Sequence, residues 1–135
     1  MIIKGPGINV WGKGFAGDNT EVGAYTEIGG LVGDYCKIQA FVFIPPGVII
    51  GDRVFIGPGV VFTNDKHPNS GKEWTQANTI VEDDVSIGAN ATILPVIIGK
   101  GAKIGAGSVV TKDVPAGETW VGNPAKTLRV AREDI

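Results

Sequence analysis

Aliphatic residues recur at six-residue intervals along most of this chain. The pattern is clearest between residues 41 and 68, where the lead residues are Ile44, Ile50, Ile56 and Phe62. A valine follows each of the first three after four further positions. Upstream, six-residue steps join Val22 to Ile28 and Val32 to Ile38, with one shortened step between the two pairs.

The repeat is interrupted by the polar segment TNDKHPNSGKEWTQAN and then resumes. The later units begin at Val81, Ile87, Ile93, Ile98, Ile104 and Val110, and the third of them is one residue short. We therefore predict one domain over residues 1–135, with a projecting loop at about 63–79 and a tail at about 123–135. Residues 1–15 are apolar without a clear register, which predicts an edge coil or a cap.

Neither common secondary-structure period explains a six-residue repeat. An amphipathic helix needs apolar residues at i, i+3, i+4 and i+7, and each glycine inside it costs roughly 1 kcal/mol. A simple strand alternates with period two, which does not account for turn residues at every sixth position. A short self-similar repeat instead indicates a solenoid, in which each coil buries its apolar face against the next coil.

Composition narrows the class of protein further. The chain of 135 residues has 21 glycines and 43% hydrophobic residues, which indicates many tight turns rather than disorder. A net charge of -2 does not favour a nucleic-acid partner. The single cysteine, Cys36, excludes an intrachain disulfide and fits a reducing compartment. No signal-peptide pattern or membrane-length apolar run is visible, so we expect a cytoplasmic protein with no membrane partner.

The units, written as [Ile/Val]-Gly-x-x-[Val/Ala/Ser]-x, resemble the hexapeptide repeat of the left-handed parallel β-helix. The resemblance covers roughly residues 22–62 and 81–115. It implies an all-β fold, a single-stranded left-handed solenoid with three hexapeptides in each triangular coil. The alternative is a generic glycine-rich β-protein. After Pro124 the amphipathic segment AKTLRVAREDI predicts a short tail or helix.

The C-terminal segment IGAGSVVTKDVPAGETWVGNPAKTLR resembles the closing signature of hexapeptide acyltransferases that use acetyl-CoA. This resemblance implies an acetyl-CoA co-substrate without a metal. It also implies a homotrimer with inter-subunit active sites, in which acetyl-CoA lies in the groove between adjacent prisms.

The loop sequence FTNDKHPNS resembles that of the nucleotide-linked amino-sugar N-acetyltransferases within this superfamily, especially the 3-N-acetyltransferases. The implied substrate is a dTDP- or UDP-linked amino sugar of bacterial surface-glycan (lipopolysaccharide) biosynthesis. The O-acetyltransferases of the superfamily carry a His-Pro-x-His loop whose second histidine is the base. This chain has Ser70 at that position, and His67 is its only histidine.

An amine needs less activation than a hydroxyl, because it is a good nucleophile once it is neutral. We predict that Asn64 holds the amino group or the tetrahedral centre through hydrogen bonds, and the alternative is an asparagine that shapes a turn. Asp65 is a candidate proton acceptor or a solvated loop acid. His67 is a candidate base, a polar contact or a residue with no role. Trp74 either stacks on the substrate or anchors the loop.

The resemblance also implies the positions that bind acetyl-CoA. The residues after Ile-Gly in successive coils, Ala89 and Ala106, correspond to backbone contacts with the pantetheine arm. Thr111 and Lys126 correspond to contacts with the nucleotide end, where Arg129 would join Lys126 at the phosphates. The alternative for the two cations is a solvated surface.

Three other functions compete with N-acetyl transfer. An O-acetyltransferase of a sugar or another small molecule is disfavoured by the missing second histidine. A zinc hydratase resembling γ-class carbonic anhydrase needs a histidine cluster, and this chain has one histidine. A β-helical scaffold without activity would need neither the TND loop nor the GNPAK segment.

Overall fold

A computed structural model describes residues 1–71 and 73–128. It contains short strands separated by tight turns, and three successive strands make one coil. The strands are β1 (Ile2–Ile3), β2 (Asn9–Val10), β3 (Phe15–Ala16), β4 (Glu21–Val22), β5 (Glu27–Ile28), β6 (Leu31–Val32), β7 (Lys37–Ile38), β8 (Phe43–Ile44), β9 (Val48–Ile50), β10 (Phe55–Ile56), β11 (Val61–Phe62), β12 (Thr79–Val81), β13 (Ser86–Ile87), β14 (Thr92–Ile93), β15 (Ile97–Ile98), β16 (Lys103–Ile104), β17 (Val109–Val110), β18 (Thr119–Gly122) and β19 (Ala125–Thr127).

Every third strand pairs in parallel, which produces three sheets along the sides of a prism. Sheet A has the order β1-β4-β7-β10-β13-β16-β18-β19, sheet B contains β2, β5, β8, β11, β14 and β17, and sheet C contains β3, β6, β9, β12 and β15. The prism has about seven turns and is a left-handed parallel β-helix, which confirms the predicted fold. Residues 1–15 form the edge coil, with Ile3 opposite Val22 and Val10 opposite Ile28.

The interior is a stack of the repeating aliphatic residues. The lead residue of each unit points inward, and so does the residue two positions before it. Ile44, Ile56 and Val60 are fully buried, as is Phe62 at the end of β11. Burying such a side chain stabilises the fold by roughly 1.5–3 kcal/mol. The six-residue spacing therefore sets both the coil length and the core.

From Val22 onward, the irregular steps of the repeat all fall at one corner of the prism, the turns that lead from sheet B to sheet C. Here the inward residues Ile28 and Val32 are four positions apart, and Ile93 and Ile98 are five apart. The polar loop is inserted at the same corner, between Phe62 and Thr79. Because the shortened and lengthened units are confined to this corner, the strands of sheets A and B stay in register from coil to coil.

The C-terminal part of the described chain forms a hairpin instead of a helix. Strand β19 runs antiparallel to β18, with Val121 opposite Lys126, and Ala125 is buried at the end of the core. The predicted helix therefore does not form in residues 125–128, and its remaining positions, from Arg129 on, lie outside the described residues. Within the described chain, no helix has the length and apolar character needed to span a bilayer.

Candidate functional site

The polar loop occupies residues 63–78, and its base is fixed by Asn64. The Asn64 carbonyl oxygen accepts a hydrogen bond from the Ala77 N–H at 2.8 Å, which closes the loop. Its side-chain Nδ2 donates to the Pro46 carbonyl at 3.0 Å, in the preceding coil. Thr79, the last residue of the predicted loop, is instead buried in β12 opposite Val48. Asn64 therefore has a structural role, and its Oδ1 and second amide hydrogen make no other hydrogen bond within residues 1–71 and 73–128.

Among the other loop candidates, Asp65 is half-buried like Asn64, whereas His67 and Trp74 are exposed. The Asp65 carboxylate accepts a hydrogen bond from the His67 backbone N–H at 2.9 Å, which is a local turn. The His67 side chain is exposed. Trp74 lies farther along the loop with 54% of its surface exposed. Asp65 is therefore engaged within the loop, whereas the His67 side chain is exposed.

A cavity of about 430 Å³ lies between the start of the loop and the outer face of sheet B. Asn64, Asp65 and Pro68 line it from the loop, and Phe43 and Val61 line it from the sheet. The cavity is mostly apolar, with one carboxylate at its edge. An apolar cavity with a few convergent polar groups is typical of a small-molecule site.

Ala89 and Ala106 lie on the opposite edge of sheet B, in the turns that lead from sheet A to sheet B. The Ala89 carbonyl accepts a hydrogen bond from the Gly107 N–H at 2.8 Å, so the two turns are stacked in adjacent coils. Neither alanine N–H has a hydrogen-bond acceptor within residues 1–71 and 73–128. Gly88 permits this close stacking, because a Cβ there would lie 2.5 Å from the Ala106 nitrogen. Two adjacent unpaired amides are suited to bind the carbonyl groups of an extended arm.

Thr111 and Lys126 share a cavity of about 300 Å³ at the C-terminal end of the prism. Trp120 and Pro124 complete its wall, and Trp120 is held by a hydrogen bond from its Nε1 to Glu118 at 2.9 Å. The hairpin therefore brings together two residues that are far apart in sequence. Arg129 lies outside the described residues.

The predicted site residues thus form three groups. The loop residues are at the corner between sheets B and C, the two alanines are at the corner between sheets A and B, and Thr111 and Lys126 are at the end. The first two groups lie on opposite edges of sheet B. Gly59, at the corner between sheets A and B, and Asn64, at the start of the loop, are separated by five residues of nearly extended chain, or about 16 Å. Along the described chain, no three His, Cys, Asp or Glu side chains are placed to bind one metal ion.

Phe43 and Val61 are site residues that sequence reasoning missed. Both directly precede a lead residue, at the position that faces outward from sheet B. In the same position other coils carry polar residues such as Glu27 and Thr92. An apolar residue at an outward position in two adjacent coils is the signal that identifies them.

Two family models match this chain. Residues 31–64 match "Bacterial transferase hexapeptide (six repeats)". Residues 78–112 match "Hexapeptide repeat of succinyl-transferase". The two matches flank the polar loop, so the interruption separates two stretches of the same repeat.

Proteins of known activity or structure are similar over much of the chain. A 2,3,4,5-tetrahydropyridine-2,6-dicarboxylate N-acetyltransferase of Staphylococcus aureus is 46% identical over 84 residues, which are 62% of this chain and 33% of that protein. The chain thus spans about a third of this relative. The acetyltransferase domain of PglB from Neisseria gonorrhoeae, solved with acetyl coenzyme A, is 25% identical with a TM-score of 0.77, over 90% of this chain and 55% of that one.

A third similar protein matches over most of both chains. It is a hexapeptide-repeat acetyltransferase of Vibrio cholerae, solved in complex with acetyl coenzyme A. It is 30% identical with a TM-score of 0.73, over 87% of this chain and 70% of that one. With the repeat, the three-sided prism and these similarities, the chain belongs to the hexapeptide-repeat acyltransferase family.

Proposed function

We propose that this protein transfers the acetyl group of acetyl-CoA to the amine of a nucleotide-linked amino sugar. The observation that carries the proposal is the cavity between sheet B and the loop, where Asn64 and Asp65 border an apolar wall. An ammonium group is favoured beside a carboxylate, and a sugar ring packs against apolar side chains. Because both a nucleotide-linked acceptor and acetyl-CoA are cytoplasmic metabolites, we expect the reaction to occur in the cytoplasm.

The chemistry requires little from the protein beyond positioning. The neutral amine attacks the thioester carbonyl, so a nitrogen–carbon bond forms and the carbon–sulfur bond breaks. The amine proton passes to Asp65, His67 or water, and the departing CoA thiolate takes up a proton. The free amide hydrogen of Asn64 donates to the oxyanion of the tetrahedral centre. Thr111 and Lys126 bind the nucleotide end of CoA, and Ala89 and Ala106 bind its arm.

The protein acts as a homotrimer in this proposal, with each site shared between two copies. The loop stem and the two alanine amides are on opposite edges of sheet B, about 16 Å apart by strand geometry. A second copy brings its loop to the corner that carries the amides. The exposed Trp74, on the outer part of the loop, is placed to contact that copy.

Sheet C supplies a surface for this assembly. Its outward residues form a continuous apolar ladder over five coils, since neighbouring members are paired in register. The ladder consists of Phe15, Leu31, Ile49, Ile80 and Ile97, all of them exposed in the single chain. A long exposed apolar surface on one side of a narrow prism marks a protein–protein contact.

A dicarboxylate amine is the second candidate acceptor, favoured by the 46% identity to the tetrahydropyridine-dicarboxylate enzyme. The cavity chemistry argues against it. Within residues 1–71 and 73–128, the cavity is lined by Asp65 and by neutral residues, and none of these lining residues is basic. A dianion beside an uncompensated carboxylate is repelled.

The proposal is tested by measuring CoA release with a thiol reagent. The protein is mixed with acetyl-CoA and a panel that contains dTDP- and UDP-linked amino sugars, the matching hydroxyl sugars and tetrahydropyridine-dicarboxylate. We expect turnover with at least one amino sugar and none with its hydroxyl counterpart. Turnover with hydroxyl sugars alone would show an O-acetyltransferase, and turnover with the dicarboxylate alone would establish the second candidate.

A further inference from the structure

We propose that Tyr25 and Phe41 form a stacking platform for the base of the acceptor nucleotide. This inference rests on the proposed nucleotide-linked acceptor and extends it to a part of the chain that has no assigned role. The two rings are stacked, with centroids 5.5 Å apart and planes inclined by 14°. They are 55% and 63% exposed, so their apolar surface faces solvent in the single chain.

Both rings belong to the corner between sheets A and B. One turn position in each coil of this corner has positive φ, and from the second coil on its N–H donates to a carbonyl of the preceding coil. Examples are Tyr25 to Pro6, Phe41 to Ala24 and Gly59 to Ala40, at 2.9 to 3.0 Å. The corresponding residues from the N-terminus onward are Gly7, Tyr25, Phe41, Gly59, Asn90 and Gly107.

Aromatic side chains are unusual at these positions. Glycine and asparagine adopt positive φ readily, whereas a bulky residue there is an outlier that the surrounding structure must stabilise. Tyr25 has φ of 57° and Phe41 has φ of 61°. Tyr35 shares this conformation at another corner, so the feature that distinguishes Tyr25 and Phe41 is that they follow one another in adjacent coils and are stacked.

On the side of Phe41 away from Tyr25, the turn of the next coil carries a small residue. The next coil has Gly59 at the equivalent position, and Gly59 has no side chain to cover the ring. One coil further, the Asn90 side chain leans over Gly59, since a Cβ on Gly59 would lie 2.3 Å from Asn90 Oδ1. The corner thus presents the Phe41 ring, a glycine and the Asn90 amide in succession. A planar base that stacks on Phe41 beside Gly59 donates a ring N–H to Asn90 Oδ1.

The platform is aligned with the proposed acetyl-CoA site. Ala89 precedes Asn90, and Ala106 precedes Gly107, so the alanine amides continue the same corner toward the C-terminus. In this proposal, acetyl-CoA binds along the C-terminal half of the corner between sheets A and B, and the acceptor binds along its N-terminal half. Phe41 is also two residues before Phe43, which lines the cavity of the loop.

The test measures binding of dTDP, UDP and CoA separately by isothermal titration calorimetry, which does not depend on turnover. Phe41→Asn removes the ring and places a residue that tolerates positive φ. We expect it to weaken dTDP or UDP binding about tenfold or more, because base stacking on an aromatic ring contributes that much. Phe41→Tyr retains the ring and should retain binding.

Tyr35→Asn is the matched control. Tyr35 also has positive φ, at 57°, and is 63% exposed, but it lies at the corner between sheets C and A. The Tyr35→Asn variant should leave nucleotide binding unchanged. If Phe41→Asn and Tyr35→Asn bind dTDP and UDP as the wild type does, or if the wild type binds neither, the platform does not exist.

Two further outcomes would give the aromatic pair a different role. If Phe41→Asn weakens CoA binding instead, the ring stacks on the adenine of the co-substrate and the proposal is wrong. If light scattering shows that Phe41→Asn dissociates the oligomer, the pair is a subunit contact and the proposal is again wrong. Nucleotide binding to the platform without any acetyl transfer would refute the proposed function but support this inference.

Discussion

Cys36 occupies a core position that Val54 and Val85 fill in the two following coils. It is fully buried two residues before Ile38, as Val54 is before Ile56. Its Sγ donates to the Gly51 carbonyl at 3.1 Å and accepts from the Val54 N–H at 3.4 Å. Burial raises the pKa of the Cys36 thiol, so the folded protein disfavours the thiolate.

A group whose pKa is raised by folding contributes full stability below its unfolded pKa and loses it as pH rises. The unfolded value for cysteine is about 8.5. We expect the free energy of unfolding of the wild type to fall between about pH 8 and about pH 10 more steeply than that of Cys36→Val. Urea denaturation across this range measures the difference. Parallel pH profiles would show that the thiol is not linked to stability.

Asn64 combines a structural hydrogen bond with the proposed contact to the reaction centre. Asn64→Ala removes both, so we expect kcat to fall about 100-fold, as for loss of an oxyanion donor. Loss of the hydrogen bond to Pro46 alone costs about 1 kcal/mol of stability. Gln76→Ala is the control, because Gln76 also makes an amide hydrogen bond in the loop, to Asn78 at 3.3 Å, and does not line the cavity. A normal kcat in Asn64→Ala would leave this residue with a structural role alone.

At the scale of elements, aspartates connect successive coils at the corner between sheets C and A. The Asp34 carboxylate accepts the Asp18 N–H, Asp52 accepts the Asp34 N–H, and Asp83 accepts the Asp52 N–H, each at 2.8 Å. A glycine one coil earlier makes room for each carboxylate, since a Cβ on Gly33 would lie 2.3 Å from Asp52 Oδ1. The turns of this corner are therefore held by side chains as well as by strand pairing.

This ladder predicts a measurable loss of stability when one aspartate is removed. Asp52→Ala leaves the Asp34 N–H without its acceptor, and we expect a loss of about 1 kcal/mol in the free energy of unfolding. Asp52→Asn keeps an acceptor oxygen and should lose less. Thermal or urea unfolding of the two variants measures both values. Equal stability of all three proteins would mean that water replaces the carboxylate.

At the scale of the whole molecule, the apolar ladder on sheet C leads to a prediction about assembly. Ile49 is at its centre and is 46% exposed, so Ile49→Glu introduces a charge into the proposed contact. We expect light scattering to give three times the chain mass for the wild type and a lower mass for the variant. Burying an unpaired carboxylate in an interface is unfavourable.

Ile2→Glu is the control for this experiment. Ile2 is 42% exposed and belongs to sheet A, outside the ladder. The Ile2→Glu variant should assemble like the wild type. A wild type of single-chain mass, or an Ile49→Glu variant of unchanged mass, would contradict the proposed trimer contact.

The sequence by itself determined the coil, its core and the family. The reason is that a six-residue repeat is local: each unit specifies which residue points inward, and Ile44, Ile50 and Ile56 are all buried as that repeat requires. The TND loop and the GNPAK segment were also visible as departures from the repeat. Their residues could therefore be named as site candidates without a structure.

Only the tertiary structure decided how the coils are aligned. Tyr25 and Phe41 are 16 positions apart, and Phe41 and Gly59 are 18 apart, so no local period relates them. Their stacking depends on the irregular steps after Val22 all lying at the corner between sheets B and C. The hydrogen bond from Asn64 to Pro46 likewise depends on a contact between two coils. The antiparallel strand at 125–127 depends on pairing that occurs after the last repeat. The position of each coil relative to the next depends on the lengths of all preceding units, so it could not be predicted from any single repeat.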